Sequence, residues 1–226
     1  LTRNPDVLRS RNMLLVGAGS SGILASYFFS YSSPSSKILV IDYSSKRLAD
    51  FKRIFQKTEV CTLKIPENIY SILSVQIADL SSRSQIREYI NQIKSVCEEF
   101  FNGASVNLLF DASSGNSAPI WDNEAILRPG TTVIPFGFGS EYILINKNII
   151  QHSGLNILMS RGVGNIRNRK EVVMLLRNGA NEFVVNELID EDSKISGIEN
   201  TVRTVNACFS GDIPKNRRWF IDFDVV

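Results

Sequence analysis

Short apolar segments alternate along the chain with longer segments in which apolar residues follow helical spacing. This alternation is typical of β-α-β units on a parallel sheet. The clearest helical segment covers residues 82–101, where Ile86, Tyr89, Ile90 and Ile93 recur every three or four residues and would form one apolar face. The predicted strands are residues 13–16, 38–41, 75–78, 106–110, 132–136 and 155–159. The other predicted helices are residues 21–31, 45–55, 118–127 and 168–177.

Six parallel strands would complete a doubly wound sheet, so the predicted fold class is α/β with a Rossmann topology. The pattern changes near Asn181, after which it predicts a helix near residues 195–206 and a final strand over residues 219–223. We therefore expect a Rossmann domain over residues 1–180 and a C-terminal appendage over residues 181–226.

Three glycines follow the first predicted strand in the order Gly17-x-Gly19-x-x-Gly22, immediately before a predicted helix. In a dinucleotide-binding turn the first glycine makes the tight turn and the second lets the backbone approach the pyrophosphate. The third allows the helix to pack closely on the strand. Ser20 and Ser21 would begin the helix, whose N-terminal N–H groups attract phosphate. The alternative is that these glycines only shape a turn.

The second predicted strand is followed by Asp42, which lies 20 residues after the last of these glycines. A carboxylate at this spacing hydrogen-bonds the adenosine ribose and repels a 2′-phosphate, so the sequence predicts NAD in preference to NADP. Lys46 and Arg47 lie close enough in sequence to weaken that preference. The alternative is that Asp42 caps a helix. Tyr43 and Asp79 are also assigned to the cofactor site.

Four segments together carry a family resemblance. They are Leu14-Leu15-Val16-Gly17-Ala18-Gly19, Val40-Ile41-Asp42, residues 107–113 with the sequence NLLFDAS, and residues 127–133 with the sequence LRPGTTV followed by Phe136-Gly137-Phe138. With them the chain resembles the medium-chain dehydrogenase/reductase family, specifically the coenzyme domain of zinc-type alcohol and polyol dehydrogenases. The resemblance covers most of the chain and implies that it binds NAD(H) as part of an oxidoreductase.

The resemblance also implies further contacts with the cofactor along the chain. These are Arg47 beside the adenosine, Ala112, Ser113, Gly137 and Phe138 beside the nicotinamide, Arg161 in the turn after the sixth strand, and Arg218 near the pyrophosphate. Two alternatives stay open: Ala112 and Ser113 as ordinary loop residues, and Arg218 as a solvated charge.

The family carries its zinc ligands and proton relay in a separate N-terminal domain, whereas only 16 residues precede Gly17 here. We therefore expect no catalytic residue and no metal ligand in this chain, with zinc confined to a catalytic domain that is absent. His152, the only histidine, is interpreted as structural or exposed rather than as a catalytic base. The chain alone is expected to be inactive.

Two alternative functions differ from this one. One is a non-catalytic module that senses NAD(H) or regulates a larger assembly. The other is a short-chain reductase, a family that needs a lysine four residues after a tyrosine. None of the six tyrosines has one.

Composition and charge argue against a nucleic-acid-binding protein and against a membrane-spanning one. A net charge of +2 with dispersed basic residues does not favour nucleic-acid binding. No apolar run reaches the roughly 18 residues that span a bilayer, and the polar start lacks a signal-peptide core. Cys61, Cys97 and Cys208 lie far apart, which is typical of reduced thiols, so a cytoplasmic location is expected. The family resemblance further implies a homodimer through the sheet edge from Leu155 to Met159.

Overall fold

The computed structural model describes residues 11–69, 80–113, 126–137 and 154–158, two short strands at 194–196 and 220–222, and the single residues Met174, Phe183, Glu187 and Arg203. Contacts within the chain group Leu1–Gly162 into one compact unit and Val163–Val226 into a second. The boundary predicted after residue 180 stays a prediction.

The first unit is built on a parallel sheet. Its strands are β1 (Asn12–Val16), β2 (Lys37–Asp42), β3 (Glu59–Lys64), β4 (Leu108–Asp111), β5 (Thr132–Pro135) and β6 (Asn156–Ile157). They pair in the order β3-β2-β1-β4-β5-β6, and every pair is parallel. The helices α1 (Ser20–Ser32), α2 (Ser45–Ile54) and α3 (Leu80–Phe100) lie between strands in sequence. The predicted α/β fold class with six parallel strands is confirmed.

The core is centred on β1, whose five residues are all buried. Leu14 aligns with Leu39 of β2 and with Leu109 of β4, and these side chains share one hydrophobic cluster with Ile90 and Ile93 of α3. Strands buried on both faces appear in sequence as continuous apolar runs. For this reason the pattern located β1, β2, β4 and β5 within two residues of their observed ends.

The helix predicted over residues 82–101 corresponds to α3, and its predicted apolar face is buried. No helix in the described part of the chain is both long and apolar enough to cross a membrane.

The third strand of the described sheet lies in a segment for which the sequence predicted no strand. Residues 75–78 lie outside the described residues, and the place beside β2 is held by β3, in which Glu59 aligns with Lys37. The Lys37 ammonium and a Glu59 carboxylate oxygen form an ion pair at 2.7 Å across these two strands. Polar and apolar residues are mixed along β3, because it is only partly buried at the edge of the described sheet.

A second correction concerns the C-terminal segment. The helix predicted near residues 195–206 is wrong at its start, where β7 (Lys194–Ser196) pairs in parallel with β8 (Phe220–Asp222). Ile195 aligns with Ile221, a β-branched pair that favours a strand over a helix. Arg203 is helical, and the final strand predicted over 219–223 corresponds to β8.

The remaining predicted elements are described only in part. Residues 126 and 127, predicted as a helix end, form a turn and an irregular segment, while the rest of that helix lies outside the described residues. Met174, within the helix predicted over 168–177, is helical. The strand predicted from Leu155 to Met159 contains β6, which ends the described sheet opposite β3. Dimerisation through that edge stays a prediction.

Candidate functional site

The strand order reverses between β1 and β4. From β1 the chain runs outward through β2 to β3 and then returns to β4 on the other side of β1. Val16, the last residue of β1, aligns with Ile41 of β2 and with Asp111 of β4, so these three strands end together. Ligands of doubly wound sheets bind at the carboxyl ends of the strands where the order reverses. The candidate site therefore lies at this edge, and the glycine turn is part of it.

Gly17 makes the tight turn that leads out of β1. Its φ of +96° is in the left-handed region that favours glycine, and its N–H donates to the Ile41 carbonyl oxygen at 2.8 Å. A Cβ at this position would lie 3.0 Å from backbone atoms of Ala112 and Ser113. Gly17 thus lets the segment after β4 approach the turn.

Gly22 and Gly19 have different surroundings. A Cβ on Gly22 would collide with the Gly17 carbonyl oxygen, so glycine is required there for α1 to pack on the turn. A Cβ on Gly19 would meet no atom within 4 Å among the described residues. No contact among the described residues requires a glycine at position 19.

The helix α1 begins in this turn, and its own first turn contains no acidic residue. Gly19 is the N-cap residue, and no side chain caps the helix. Ser20 and Ser21 form the first turn and are half-buried. Helix N-terminal N–H groups carry partial positive charge that favours a bound anion such as a phosphate.

Asp42 joins the glycine turn to the segment after β2. One carboxylate oxygen accepts the Ala18 N–H at 2.8 Å, and the other accepts the Ser44 N–H at 2.8 Å. The side chain is only 2 % exposed. The hydroxyl of Ser44, the N-cap of α2, accepts the Arg47 N–H at 3.3 Å. Asp42 therefore has a clear role in holding the two turns together, in addition to any contact with a ligand.

Arg47, Tyr43 and Asp42 lie close together. The Arg47 guanidinium lies 3.7 Å from Oδ2 of Asp42, and its Cζ lies 5.4 Å from the centroid of the Tyr43 ring. The Arg47 Nε is buried and has no hydrogen-bond partner among the described residues. The structure thus brings three residues predicted from sequence into one cluster.

On the other side of β1, the ends of β4 and β5 lie in close backbone contact. The Asp111 carbonyl oxygen accepts the N–H groups of Phe136 and Gly137 at 2.8 and 2.9 Å. A Cβ on Gly137 would collide with the Ser113 carbonyl oxygen. Ser113 and Gly137, both predicted to line the nicotinamide half of the cleft, are therefore in contact, and Ala112 is bound to β1 through its N–H and the Val16 carbonyl oxygen at 2.7 Å.

Sequence reasoning missed the role of Asp111 in this arrangement. Its side chain is buried, and one carboxylate oxygen accepts both the N–H of Ser113 at 3.0 Å and its hydroxyl at 2.7 Å. Asp42 holds Ser44 in the same way. The signal was present in the sequence, because Asp-x-Ser ends both strands and aspartate readily accepts the N–H two residues ahead.

Four of the predicted site residues lie outside the described residues. They are Asp79, Phe138, Arg161 and Arg218. Within the described residues, no group of three or more histidine, cysteine, aspartate or glutamate side chains is placed to hold a metal ion.

Comparison with known proteins shows similarity of fold without similarity of sequence. No family model matches the chain, and no curated protein matches it by sequence. Many solved structures do match. A short-chain alcohol dehydrogenase from Escherichia coli CFT073, solved with NADH, superposes with a TM-score of 0.56 at 15% identity, over 94% of this chain and 51% of that one.

Two further matches have the same character. An alcohol dehydrogenase from Thermotoga maritima gives a TM-score of 0.63 at 13% identity, covering 93% of this chain and 50% of its own. An Escherichia coli quinone oxidoreductase complexed with NADPH gives 0.59 at 14% identity, covering 94% and 57%. The chain spans about half the length of these solved structures. At such low identity the likeness establishes the fold.

Proposed function

We propose that this chain is the coenzyme-binding portion of an oxidoreductase similar to alcohol and polyol dehydrogenases, and that it binds a nicotinamide dinucleotide. The fold neighbours named above include enzymes solved with NADH and with NADPH, and the chain covers about half of each. Substrate contacts and any catalytic zinc would then belong to other parts of the parent protein.

The observation that carries the proposal is the contrast between the glycines of the turn. Gly17 and Gly22 are required by contacts with the protein's own backbone, whereas the space beside Gly19 is open among the described residues. The open space adjoins a helix N-terminus that has no acidic residue in its first turn. A diphosphate needs both of these features, close approach to the backbone and the partial positive charge of a helix N-terminus.

The residues on either side of the turn fit the two halves of such a ligand. Asp42, Tyr43 and Arg47 would lie beside the adenosine, and the contact between Ser113 and Gly137 would form the wall beside the nicotinamide. When bound, the nicotinamide supplies hydride transfer. The described residues of this chain would bind and orient the cofactor.

Replacing Gly19 tests the proposal without disturbing the fold. In Gly19→Ala the added methyl group meets no described protein atom, so the free energy of unfolding should fall by no more than about 1 kcal/mol, the cost of a poorer N-cap. The dissociation constant for NADH, measured by calorimetry, should rise at least tenfold because the methyl group occupies the space of the diphosphate.

Ser32→Ala, an exposed change at the opposite end of α1, is the matched control and should bind NADH as the unmodified chain does. The proposal fails if the unmodified chain binds NADH no better than at millimolar concentration, or if Gly19→Ala binds it equally well.

A further inference from the structure

We infer that Arg47 determines recognition of the adenosine ribose, and that this chain accepts a 2′-phosphorylated nucleotide, NADP(H), about as well as NAD(H). The inference rests on the proposed function, since it concerns the adenosine end of the same site. It departs from the preference for NAD that an aspartate after the second strand predicts.

The first reason to expect NADP(H) binding is that the Asp42 carboxylate already has hydrogen-bond partners within the protein. Both of its carboxylate oxygens already accept backbone N–H groups, from Ala18 and from Ser44, and the side chain is 2 % exposed. An acidic residue discriminates against NADP when its carboxylate faces the ribose and repels the 2′-phosphate. Here the carboxylate is withdrawn into the two turns that it holds together.

Arg47 is placed to offset the negative charge of the Asp42 carboxylate. Its guanidinium lies 3.7 Å from Oδ2 of Asp42, which is close enough for ionic attraction but too long for a hydrogen bond. An arginine beside the ribose accommodates a 2′-phosphate in NADP-binding members of this fold class. The pair therefore presents little net repulsion to an incoming phosphate.

The Arg47 guanidinium can also donate more hydrogen bonds than the described residues accept. Its buried Nε has no hydrogen-bond partner among the described residues, and buried donors in native structures normally have one. The group is held near the Tyr43 ring, at 5.4 Å. Although Nε itself is buried, the side chain as a whole is 20% exposed, so other atoms of it can be reached from solvent. A phosphate would supply the acceptors, and guanidinium binds phosphate through strong charge-assisted hydrogen bonds.

The test begins with titration of the full chain by NADH and by NADPH under one ionic strength. We expect the two dissociation constants to agree within tenfold. If NADH binds and NADPH binds more than tenfold more weakly, the inference is overturned and the proposed function stands. If neither nucleotide binds, both are overturned.

Variants then locate the determinant. Arg47→Ala should raise the dissociation constant for NADPH at least tenfold more than that for NADH, and an unchanged circular dichroism spectrum should show that the variant is folded. Lys46→Ala, its exposed neighbour, is the matched control and should alter either constant less than threefold. Arg47→Lys, which keeps the positive charge, should recover part of the NADPH affinity. An equal loss for both nucleotides in Arg47→Ala, or no loss for either, would overturn the inference.

Discussion

At the scale of single residues, the site depends on hydrogen bonds between aspartates and backbone groups, a role that few other residue types could fill. Asp42 links two turns, and Asp111 links the ends of two strands. Each aspartate accepts the N–H of a serine two residues later. These bonds fix the backbone around the carboxyl ends of β1, β2 and β4 independently of any ligand.

Removing the Asp42 side chain should destabilise the protein even when no nucleotide is present. Asp42→Ala removes the acceptor of the buried Ala18 N–H and of the partly buried Ser44 N–H. A buried donor left without an acceptor costs about 1–3 kcal/mol, and a partly buried one costs less because water can reach it. We expect the free energy of unfolding, measured in urea, to fall by about 2–4 kcal/mol.

Asp50→Ala, in the middle of α2, is the matched control for Asp42→Ala and should change the free energy of unfolding by no more than about 0.5 kcal/mol. Equal stability of the two variants would show that Asp42 is not structural.

The sequence predicted these residues better than it predicted their roles. Spacing picked out Gly17, Gly19 and Gly22 because a dinucleotide-binding turn has a fixed geometry, and it picked out Asp42 for the same reason. It could not show that Asp42 is enclosed by backbone N–H groups, since that depends on how two distant turns meet in the folded chain.

At the scale of elements, the strands with continuous apolar sequence were predicted well and the edge of the sheet was not. β1 is buried along its whole length, whereas β3 is exposed at both ends and half-buried between them. A short strand that mixes polar and apolar residues has no distinctive period. Its pairing with β2, including the ion pair between Lys37 and Glu59, becomes visible only in the fold.

Cys97 is buried where α3 packs against the sheet. Its thiol should make the free energy of unfolding depend on pH in the alkaline range. Burial, with smaller contributions from Cys61 and Glu98, raises the pKa of the Cys97 thiol from 9.0 to about 12 in the folded protein. Below pH 9 both states keep the proton. Between pH 9 and 12 only the unfolded state loses it, so the free energy of unfolding should fall by about 1.4 kcal/mol per pH unit from this group.

Urea unfolding between pH 8 and 10.5 measures this slope. Cys97→Ser has no thiol to titrate, so its stability should decline less steeply above pH 9 than that of the unmodified chain. Cys61→Ser is the comparison on β3 and should alter the slope less, because Cys61 is only half-buried. Identical slopes for the unmodified chain and Cys97→Ser would contradict the prediction.

At the scale of the whole molecule, the first unit has the sheet order of a dinucleotide-binding domain and the chain spans about half of the dehydrogenases that share its fold. The fold class followed from the sequence because six apolar or half-apolar segments alternate with helices. An activity did not follow, because a fold of this class is shared by proteins with different functions.

In the proposed complex, a nicotinamide dinucleotide lies across the carboxyl ends of β1, β2 and β4. A crystal structure of the full chain grown with saturating NADH tests it most directly. We expect the diphosphate within hydrogen-bond distance of the N–H groups of Gly19 to Ser21, with the adenosine ribose beside Asp42 and Arg47. A nucleotide bound elsewhere, or none bound at saturation, would contradict it.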